Sequence, residues 1–121
     1  MAIVRYLVDD VDAAIAFYRD SLGFVLEQQM GPAFAVVTRD DLALWLSGPE
    51  SSAARPMPDG RRPEPGGWNR AVVVVEDLAT HVEELKRSGL SFRNDIVSGP
   101  GGKQILLEDT AGNPVELFEP R

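Results

Sequence analysis

Apolar and polar residues alternate along the first part of the chain in two different periods. Ile3–Val8 is rich in branched residues and predicts a strand. The residues after it repeat at helical spacing on one face, namely Val11, Ala14, Ile15, Tyr18 and Leu22. Asp10 stands where a helix N-cap is expected, and Gly23 suits the left-handed residue that ends a helix. The pattern therefore predicts a strand followed by one helix.

Three more strands are predicted behind this helix, so the first module has the order βαβββ. Turn-forming residues separate them, with Gly31-Pro32 in the first gap and residues 39–41 in the second. The predicted strands are Phe24–Met30, Phe34–Thr38 and Leu42–Leu46.

The same order returns in the second half of the chain. Its predicted elements are a strand at Asn69–Val75, a helix at Leu78–Arg87 that ends by Gly89, and strands at Leu90–Val97, Lys103–Glu108 and Val115–Glu119. When the two halves are aligned with a shift of 67 residues, Val8 matches Val75 and Asp10 matches Asp77. A shared strand and cap at one offset indicate a tandem repeat. The acidic pairs at both helix starts are interpreted as caps and not as acid/base dyads.

A proline-rich segment joins the modules and is either a connector or a lid. Its prolines, at positions 49, 56, 58, 63 and 65, oppose regular strand pairing. We predict one domain over residues 1–121, with module 1 at about 1–47, the connector at about 48–67 and module 2 at about 68–121. The predicted fold class is α+β, with a curved, eight-stranded mixed sheet whose concave side forms a ligand cavity.

Composition and charge exclude several kinds of function. The chain has 12 basic and 19 acidic residues, a net charge of −7 that disfavours nucleic acid and anionic membranes as partners. It has no cysteine, which excludes disulfides, thiol nucleophiles and cysteine-bound metals. His81 is the only histidine, so sites built from several histidines are excluded. No apolar stretch approaches the length of a membrane span, and we expect a cytoplasmic protein.

Two sequence runs resemble motifs of the vicinal oxygen chelate superfamily, which includes glyoxalase I, bleomycin-resistance proteins, fosfomycin-resistance enzymes and extradiol dioxygenases. Val8–Phe24, VDDVDAAIAFYRDSLGF, resembles the opening motif of this group. Leu107–Pro120, LEDTAGNPVELFEP, is similar to its closing motif. The resemblance implies the paired-module fold and, because small members usually pair, a homodimer. It implies no single activity, since the group contains both enzymes and binding proteins.

The resemblance also implies four positions at which relatives hold a metal ion. These positions carry Ile3, Trp45, Arg70 and Glu116 in this chain. Only Glu116 has a side chain that could coordinate a cation. Because a bound divalent metal needs about three or four protein ligands, we expect no metal and no other cofactor. We expect the Arg70 guanidinium to take the place of the cation and to pair with Glu116.

Nine residues are predicted to bind a ligand on the concave face. Strand alternation selects Arg5, Leu7, Trp45, Arg70, Val72, Glu116 and Phe118. Trp68 and Gln104 lie near this set, and Trp68 either stacks on a planar ligand or packs against its own strand. The three large aromatic residues would supply stacking area, while the arginines and Gln104 would fix polar groups.

Two functions remain open at this stage. The leading hypothesis is a metal-free small-molecule binding protein that sequesters an aromatic or bulky natural product, in the manner of antibiotic resistance, with no catalytic residue. The alternative is an enzyme of the same superfamily, of the lyase, isomerase or dioxygenase type. It would use Glu116 as a general base or a metal site at positions other than these four. The ligand itself is not identified by the sequence.

Overall fold

The computed structural model describes all residues from Met1 to Arg121, and the chain divides into two compact units. The first unit contains Met1–Gly66 and Thr110–Asn113, and the second contains Gly67–Asp109 and Pro114–Arg121. Each unit holds one βαβββ module. The predicted α+β class and the tandem repeat are therefore confirmed.

The first unit is built on a four-stranded mixed sheet. Its elements are β1 (Ala2–Leu7), α1 (Val11–Ala16), a π-helical segment (Phe17–Ser21), β2 (Val25–Met30), β3 (Phe34–Arg39), β4 (Leu42–Ser47) and a 3-10 turn (Ser52–Ala54). The strand order is β1-β4-β3-β2, with β1 parallel to β4 and the other pairs antiparallel. The parallel pair places the two ends of the module side by side.

The first helix differs from the predicted single α-helix because it widens into a π-helix after Ala16. A π-helical turn holds more residues than an α-helical turn, and here the adjacent rings of Phe17 and Tyr18 are both buried. Tyr18 lies edge-on to the rings of Phe17 and Phe24, with centroids 5.0 and 5.4 Å away. The predicted left-handed residue is present at Gly23, where φ is 71°. We infer that packing of the aromatic cluster favours the wider turn.

The second unit repeats this arrangement with a longer helix. Its elements are β5 (Ala71–Val74), α2 (Leu78–Arg87), β6 (Val97–Gly99), β7 (Gly102–Glu108) and β8 (Pro114–Pro120). The strand order is β5-β8-β7-β6, with β5 parallel to β8. Because β4 and β8 each pair with the first strand of their own module, the predicted eight-stranded mixed sheet is realised as two four-stranded mixed sheets. Neither helix could span a bilayer, since the longer one has only ten residues.

Strand β6 is the one strand that the sequence placed wrongly. The prediction covered Leu90–Val97, whereas the strand occupies Val97–Gly99 and Phe92 contributes only an isolated bridge to Leu107. The reason is visible at Asn94, whose side-chain Oδ1 accepts the Leu106 backbone N–H at 2.9 Å. A side chain that occupies a backbone donor of the neighbouring strand interrupts the regular ladder.

Helix α2 begins with an aspartate cap, as predicted. The Asp77 carboxylate accepts the Thr80 backbone N–H at 3.3 Å and the Thr80 hydroxyl at 2.8 Å. These bonds, first of all the one from the hydroxyl, lower the pKa of Asp77 below its ordinary value of 3.8. The folded state therefore favours the ionised carboxylate, and the resulting stabilisation is present above the ordinary pKa and is lost as the pH falls through the lowered one.

We expect Asp77→Ala to lower the midpoint of urea unfolding at neutral pH, because it removes the cap. The difference from wild type should shrink as the pH falls below 3.8 and through the lowered pKa, because the wild-type carboxylate then becomes protonated as well. Urea titrations across this range measure both effects. Asp95→Ala, at an exposed loop position, is the control and should shift the midpoint much less. A difference that does not change with pH would contradict the ionised cap.

Candidate functional site

In the first unit, an arginine and a tryptophan meet on the sheet face opposite the helix. Arg5 and Trp45 are register partners on the parallel strands β1 and β4. The Arg5 guanidinium carbon lies 5.0 Å from the centroid of the Trp45 ring, and Nη1 donates to the Ser47 hydroxyl at 3.0 Å. A cation over an indole face at this distance is attracted by the ring quadrupole. The pair thus presents an aromatic surface with a positive group attached to it.

Arg5 borders a cavity of about 350 Å³, whereas Trp45 is not among the residues that line it. The cavity combines apolar and polar side chains, and its lining residues are Arg5, Met30, Ala33, Phe34, Glu50, Ser51 and Ser52. Phe34 lies edge-on to Trp45, with centroids 5.7 Å apart and an interplanar angle of 82°. Apolar walls with a few polar groups are typical of sites for organic ligands.

Of the seven residues that line this cavity, only Arg5 was predicted from the sequence. The six that were missed are Met30, Ala33, Phe34, Glu50, Ser51 and Ser52. The signal for Phe34 was available, because the antiparallel β3–β4 hairpin places it opposite Ser47, two residues from Trp45. Glu50 follows the strand in the connector, where no periodicity indicates which way a side chain faces. Loop residues of this kind are found only from the folded chain.

Leu7 borders a different cavity from Arg5, although both are on β1. This second cavity, of about 310 Å³, lies among connector residues and is lined by Leu7, Val8, Asp9, Gly48, Pro49, Ala54, Arg62, Pro63, Glu64 and Pro65. A hydrogen bond holds the end of the connector at Gly66, whose N–H donates to Asn113 Oδ1 at 2.7 Å. Asn113 in turn donates to the Leu7 carbonyl at 2.7 Å. The last part of the connector is therefore fastened to the end of β1.

In the second unit, four of the predicted site residues share one face of the sheet. Val72 pairs with Glu116 across β5 and β8, and Phe118 pairs with Gln104 across β8 and β7. The alternate residues of these strands face α2 and are buried, namely Ala71, Val73, Val115, Leu117, Ile105 and Leu107. Because successive side chains of a strand point to opposite faces, the four predicted residues lie on the face without the helix.

Arg70 and Glu116 form the ion pair that the sequence predicted. Arg70 Nε and Nη2 donate to the same oxygen, Glu116 Oε1, at 3.1 and 2.8 Å. The side chains are 29% and 11% exposed, so the pair is partly buried. Arg70 Nη1 also donates to the Trp68 carbonyl at 3.2 Å. The carboxylate of Glu116 is thus engaged with a cation that belongs to the protein.

A second arginine, Arg93, lies against Trp68 and was not among the predicted site residues. Its guanidinium carbon is 4.6 Å from the centroid of the indole, and Nε donates to Glu108 Oε2 at 2.9 Å. Trp68 itself is 68% exposed. Arg93 lies within the strand predicted at Leu90–Val97, and nothing in the sequence indicated that its side chain meets Trp68.

The residues at the four metal-ligand positions do not fit a divalent metal. Ile3 offers no donor, Trp45 stacks against Arg5, and Arg70 already neutralises Glu116. No group of three or more histidine, cysteine, aspartate or glutamate side chains is placed to hold a metal ion. Since a permanent cation at Glu116 would repel an incoming divalent ion, the donor set disfavours metal binding.

We therefore expect divalent metals to leave the melting temperature unchanged. A ligand that binds only the folded state at about 100 times its Kd adds about 2.7 kcal/mol of stability. Thermal melts with zinc, nickel, manganese, iron(II) and magnesium would detect a shift of that size. A saturable rise with any of these metals would show that ligands exist outside the four positions.

The tandem βαβββ architecture and the helix-free sheet faces define a class of paired-module α+β proteins. The sequence profile described as the Glyoxalase/Bleomycin resistance protein/Dioxygenase superfamily matches residues 1–117, and the chain belongs to this superfamily. The resemblance seen in the sequence motifs is thereby confirmed. No curated protein sequence matches the chain closely enough to count as a relative.

Solved structures with the same fold include an enzyme and two antibiotic binders. Lactoylglutathione lyase from Agrobacterium tumefaciens is 22% identical, with a TM-score of 0.75 over 98% of this chain and 92% of that one. TnmS3, an antibiotic-binding protein from Streptomyces sp. CB03234, is 23% identical, with a TM-score of 0.74 over 98% and 93%. The bleomycin-binding protein of Streptomyces verticillus, solved with copper(II)-bleomycin, is 24% identical, with a TM-score of 0.65 over 99% and 95%. At these identities the likeness concerns the fold alone.

Proposed function

We propose that this protein binds and sequesters an aromatic or otherwise bulky natural product without a catalytic metal. The observation that carries the proposal is the Arg70–Glu116 pair, with a closest distance of 2.8 Å. Among the four positions at which relatives hold a metal ion, only Glu116 has a side chain that could coordinate one. In this protein that carboxylate is paired with Arg70. A site of this kind offers shape, stacking and charge, which are sufficient for binding but supply no activated water or Lewis acid.

The side chains proposed for binding suit recognition of flat organic groups in each unit. In the first unit, Trp45 would supply stacking area, Arg5 polar anchoring and Leu7 apolar contact. In the second unit, Trp68 and Phe118 would supply stacking area, Arg70 and Gln104 polar anchoring, and Val72 apolar contact. The cavity beside Arg5, about 350 Å³, has the volume of a site for a small organic group. Two solved structures with this fold belong to antibiotic-binding proteins, which supports the same class of ligand.

The enzyme alternative has less support from the site. A general base must be free to accept a proton from substrate, whereas Glu116 Oε1 accepts two N–H groups from Arg70. A reaction that used Oε1 of Glu116 as the base would first have to displace this arginine. We therefore propose binding and not turnover.

The proposal is tested by measuring binding and chemical change together. Native mass spectrometry of the purified protein would show a co-purified organic molecule, and calorimetry with a panel of aromatic antibiotics that includes copper(II)-bleomycin would measure affinity. We expect at least one ligand to bind, to be recovered chemically unchanged, and to bind about tenfold more weakly to Trp45→Ala. Glu116→Gln is the control for catalysis.

Two outcomes would overturn the proposal. One is conversion of a bound compound to product by wild type but not by Glu116→Gln. The other is a protein that carries no small molecule and binds no compound of the panel.

We further propose that the protein is a cytoplasmic homodimer whose other partners are small molecules and not nucleic acid or membranes. Strands β1, β2, β5 and β6 each end a sheet in the strand order and leave edges that a second chain can cover. The net charge of −7 opposes binding to polyanions. Sedimentation velocity should give the mass of two chains, and a monomer at tens of micromolar would contradict the dimer.

A further inference from the structure

Trp68 follows two glycines whose backbone conformations are open to few other residues. Gly66 and Gly67 have φ values of 107° and 85°, in the left-handed region. Glycine loses more conformational freedom on folding than any other residue, so a tryptophan in this setting needs other contacts to hold a defined position. Its 68% exposure shows that the packed core does not supply them.

Arg93 supplies these contacts, since one guanidinium meets the tryptophan segment in two ways. Nη1 donates to the Gly67 carbonyl at 2.6 Å, and the guanidinium carbon stands 4.6 Å from the centroid of the Trp68 ring. The same segment is held a second time through the Trp68 carbonyl, which accepts Arg70 Nη1 at 3.2 Å. The backbone and the ring of Trp68 are therefore both bound to arginines.

Arg93 is itself held firmly in place. Its Nε donates to Glu108 Oε2 at 2.9 Å, and its backbone N–H donates to the Leu106 carbonyl at 2.9 Å. The Arg93 side chain is only 16% exposed. Both partners belong to β7, so Arg93 connects the tryptophan segment to a central strand of the second sheet.

We propose that Arg93 is a positioning residue for ligand binding, which orients the Trp68 ring so that one indole face stays open to a planar ligand. The inference rests on the proposed binding function and deepens it by assigning the open indole face as a stacking subsite for a flat aromatic group. Arg93 covers one face of the ring, and a ligand that stacks on the other face completes a layered arrangement. A ring that is already oriented loses less rotamer entropy on binding, which strengthens affinity.

The geometry requires arginine and not merely a positive charge. A planar guanidinium can stack on an aromatic ring while its N–H groups donate within the same plane to a carbonyl and a carboxylate. A lysine ammonium is a compact charge on a flexible chain and cannot make these three contacts together. Arg93→Lys therefore preserves the charge and removes the positioning.

The first measurement needs no ligand and uses Trp45→Phe as the parent, so that Trp68 is the only tryptophan. Time-resolved fluorescence anisotropy reports the fast motion of the ring. We expect Arg93→Lys to increase the amplitude of the fast decay about twofold, because side-chain rotation of an exposed residue occurs on the ps–ns timescale. Arg87→Lys, at an exposed position on α2, is the matched control and should leave it unchanged.

The second measurement titrates 1-anilinonaphthalene-8-sulfonate and follows energy transfer from Trp68. We expect Arg93→Lys to weaken binding of this planar probe about fivefold, near 1 kcal/mol. Affinity in Trp68→Ala is read from the probe's own emission. The double variant Trp68→Ala/Arg93→Lys should bind no more weakly than Trp68→Ala, because Arg93 acts through the ring. If Arg93→Lys proves unstable, Glu108→Gln loosens the same arginine and should change anisotropy in the same direction.

The two measurements separate failure of this inference from failure of the proposed function. Unchanged anisotropy in both Arg93→Lys and Glu108→Gln would overturn the positioning role, whatever the parent binds. Fully additive losses in the double variant would also overturn it, since Arg93 would then act independently of Trp68. If wild type binds neither the probe nor any antibiotic while Arg93→Lys changes the anisotropy of the Trp45→Phe parent, the binding function and its stacking subsite are overturned and the control of ring orientation stays in place.

Discussion

Gly102→Ala is expected to destabilise the protein by about 3 kcal/mol or more, the largest effect that we predict for a single substitution. Gly102 begins β7, is buried, and has a φ of 149°. A Cβ at this position would overlap the Glu119 carbonyl oxygen and lie 3.0 Å from the Pro120 Cα. These are backbone atoms of the adjacent strand β8, so no side-chain rotation can relieve the overlap.

The neighbouring glycine is a matched control for this prediction. At Gly101, a Cβ would meet only the Phe118 ring, with Cζ 3.9 Å away, which is ordinary van der Waals contact. Gly101→Ala should therefore change the free energy of unfolding by less than about 1 kcal/mol. Urea titrations of both variants provide the comparison. Equal stability of the two variants would show that β7 and β8 do not approach as closely as described.

Arg70→Ala is expected to cost about 2–3 kcal/mol, because it leaves a buried carboxylate without its partner. Glu116 has a side chain that is only 11% exposed, whereas that of Arg70 is 29% exposed. Glu116→Ala should therefore cost less, about 1–2 kcal/mol, since the stranded guanidinium retains water. The double variant should be more stable than the sum of the single losses predicts, because it leaves neither charge unpaired.

An exposed ion pair with the same N–O distance tests whether burial, and not distance, sets the cost of removing one partner. Arg61 and Asp59 also approach to 2.8 Å, but their side chains are 83% and 54% exposed. Exposed pairs are typically worth less than about 1 kcal/mol, so Arg61→Ala should have a small effect on urea unfolding. A loss for Arg61→Ala as large as that for Arg70→Ala would mean that burial of Glu116 does not determine the cost.

Much of the fold was predictable because its determinants are local. Helix α2 occupies the predicted residues Leu78–Arg87, since its cap, apolar stripe and terminal glycine are all encoded within about four turns. The Arg70–Glu116 contact was also predicted, from the positions at which the resemblance implied metal ligands in relatives. Strand periodicity further placed Val72 and Phe118 correctly on one face of the sheet.

The sequence by itself determined the repeated βαβββ order, the helix caps and the faces of most strands, because these follow from periodicity and short-range hydrogen bonding. The tertiary structure decided the π-helical widening at Phe17–Ser21, the displacement of β6 by the Asn94 side chain, and the contacts of Arg93 with Trp68 and Glu108. Each of these depends on which atoms meet after distant segments pack. Glu50 lines the Arg5 cavity for the same reason, since a cavity is defined by side chains from several segments and by no single stretch of sequence.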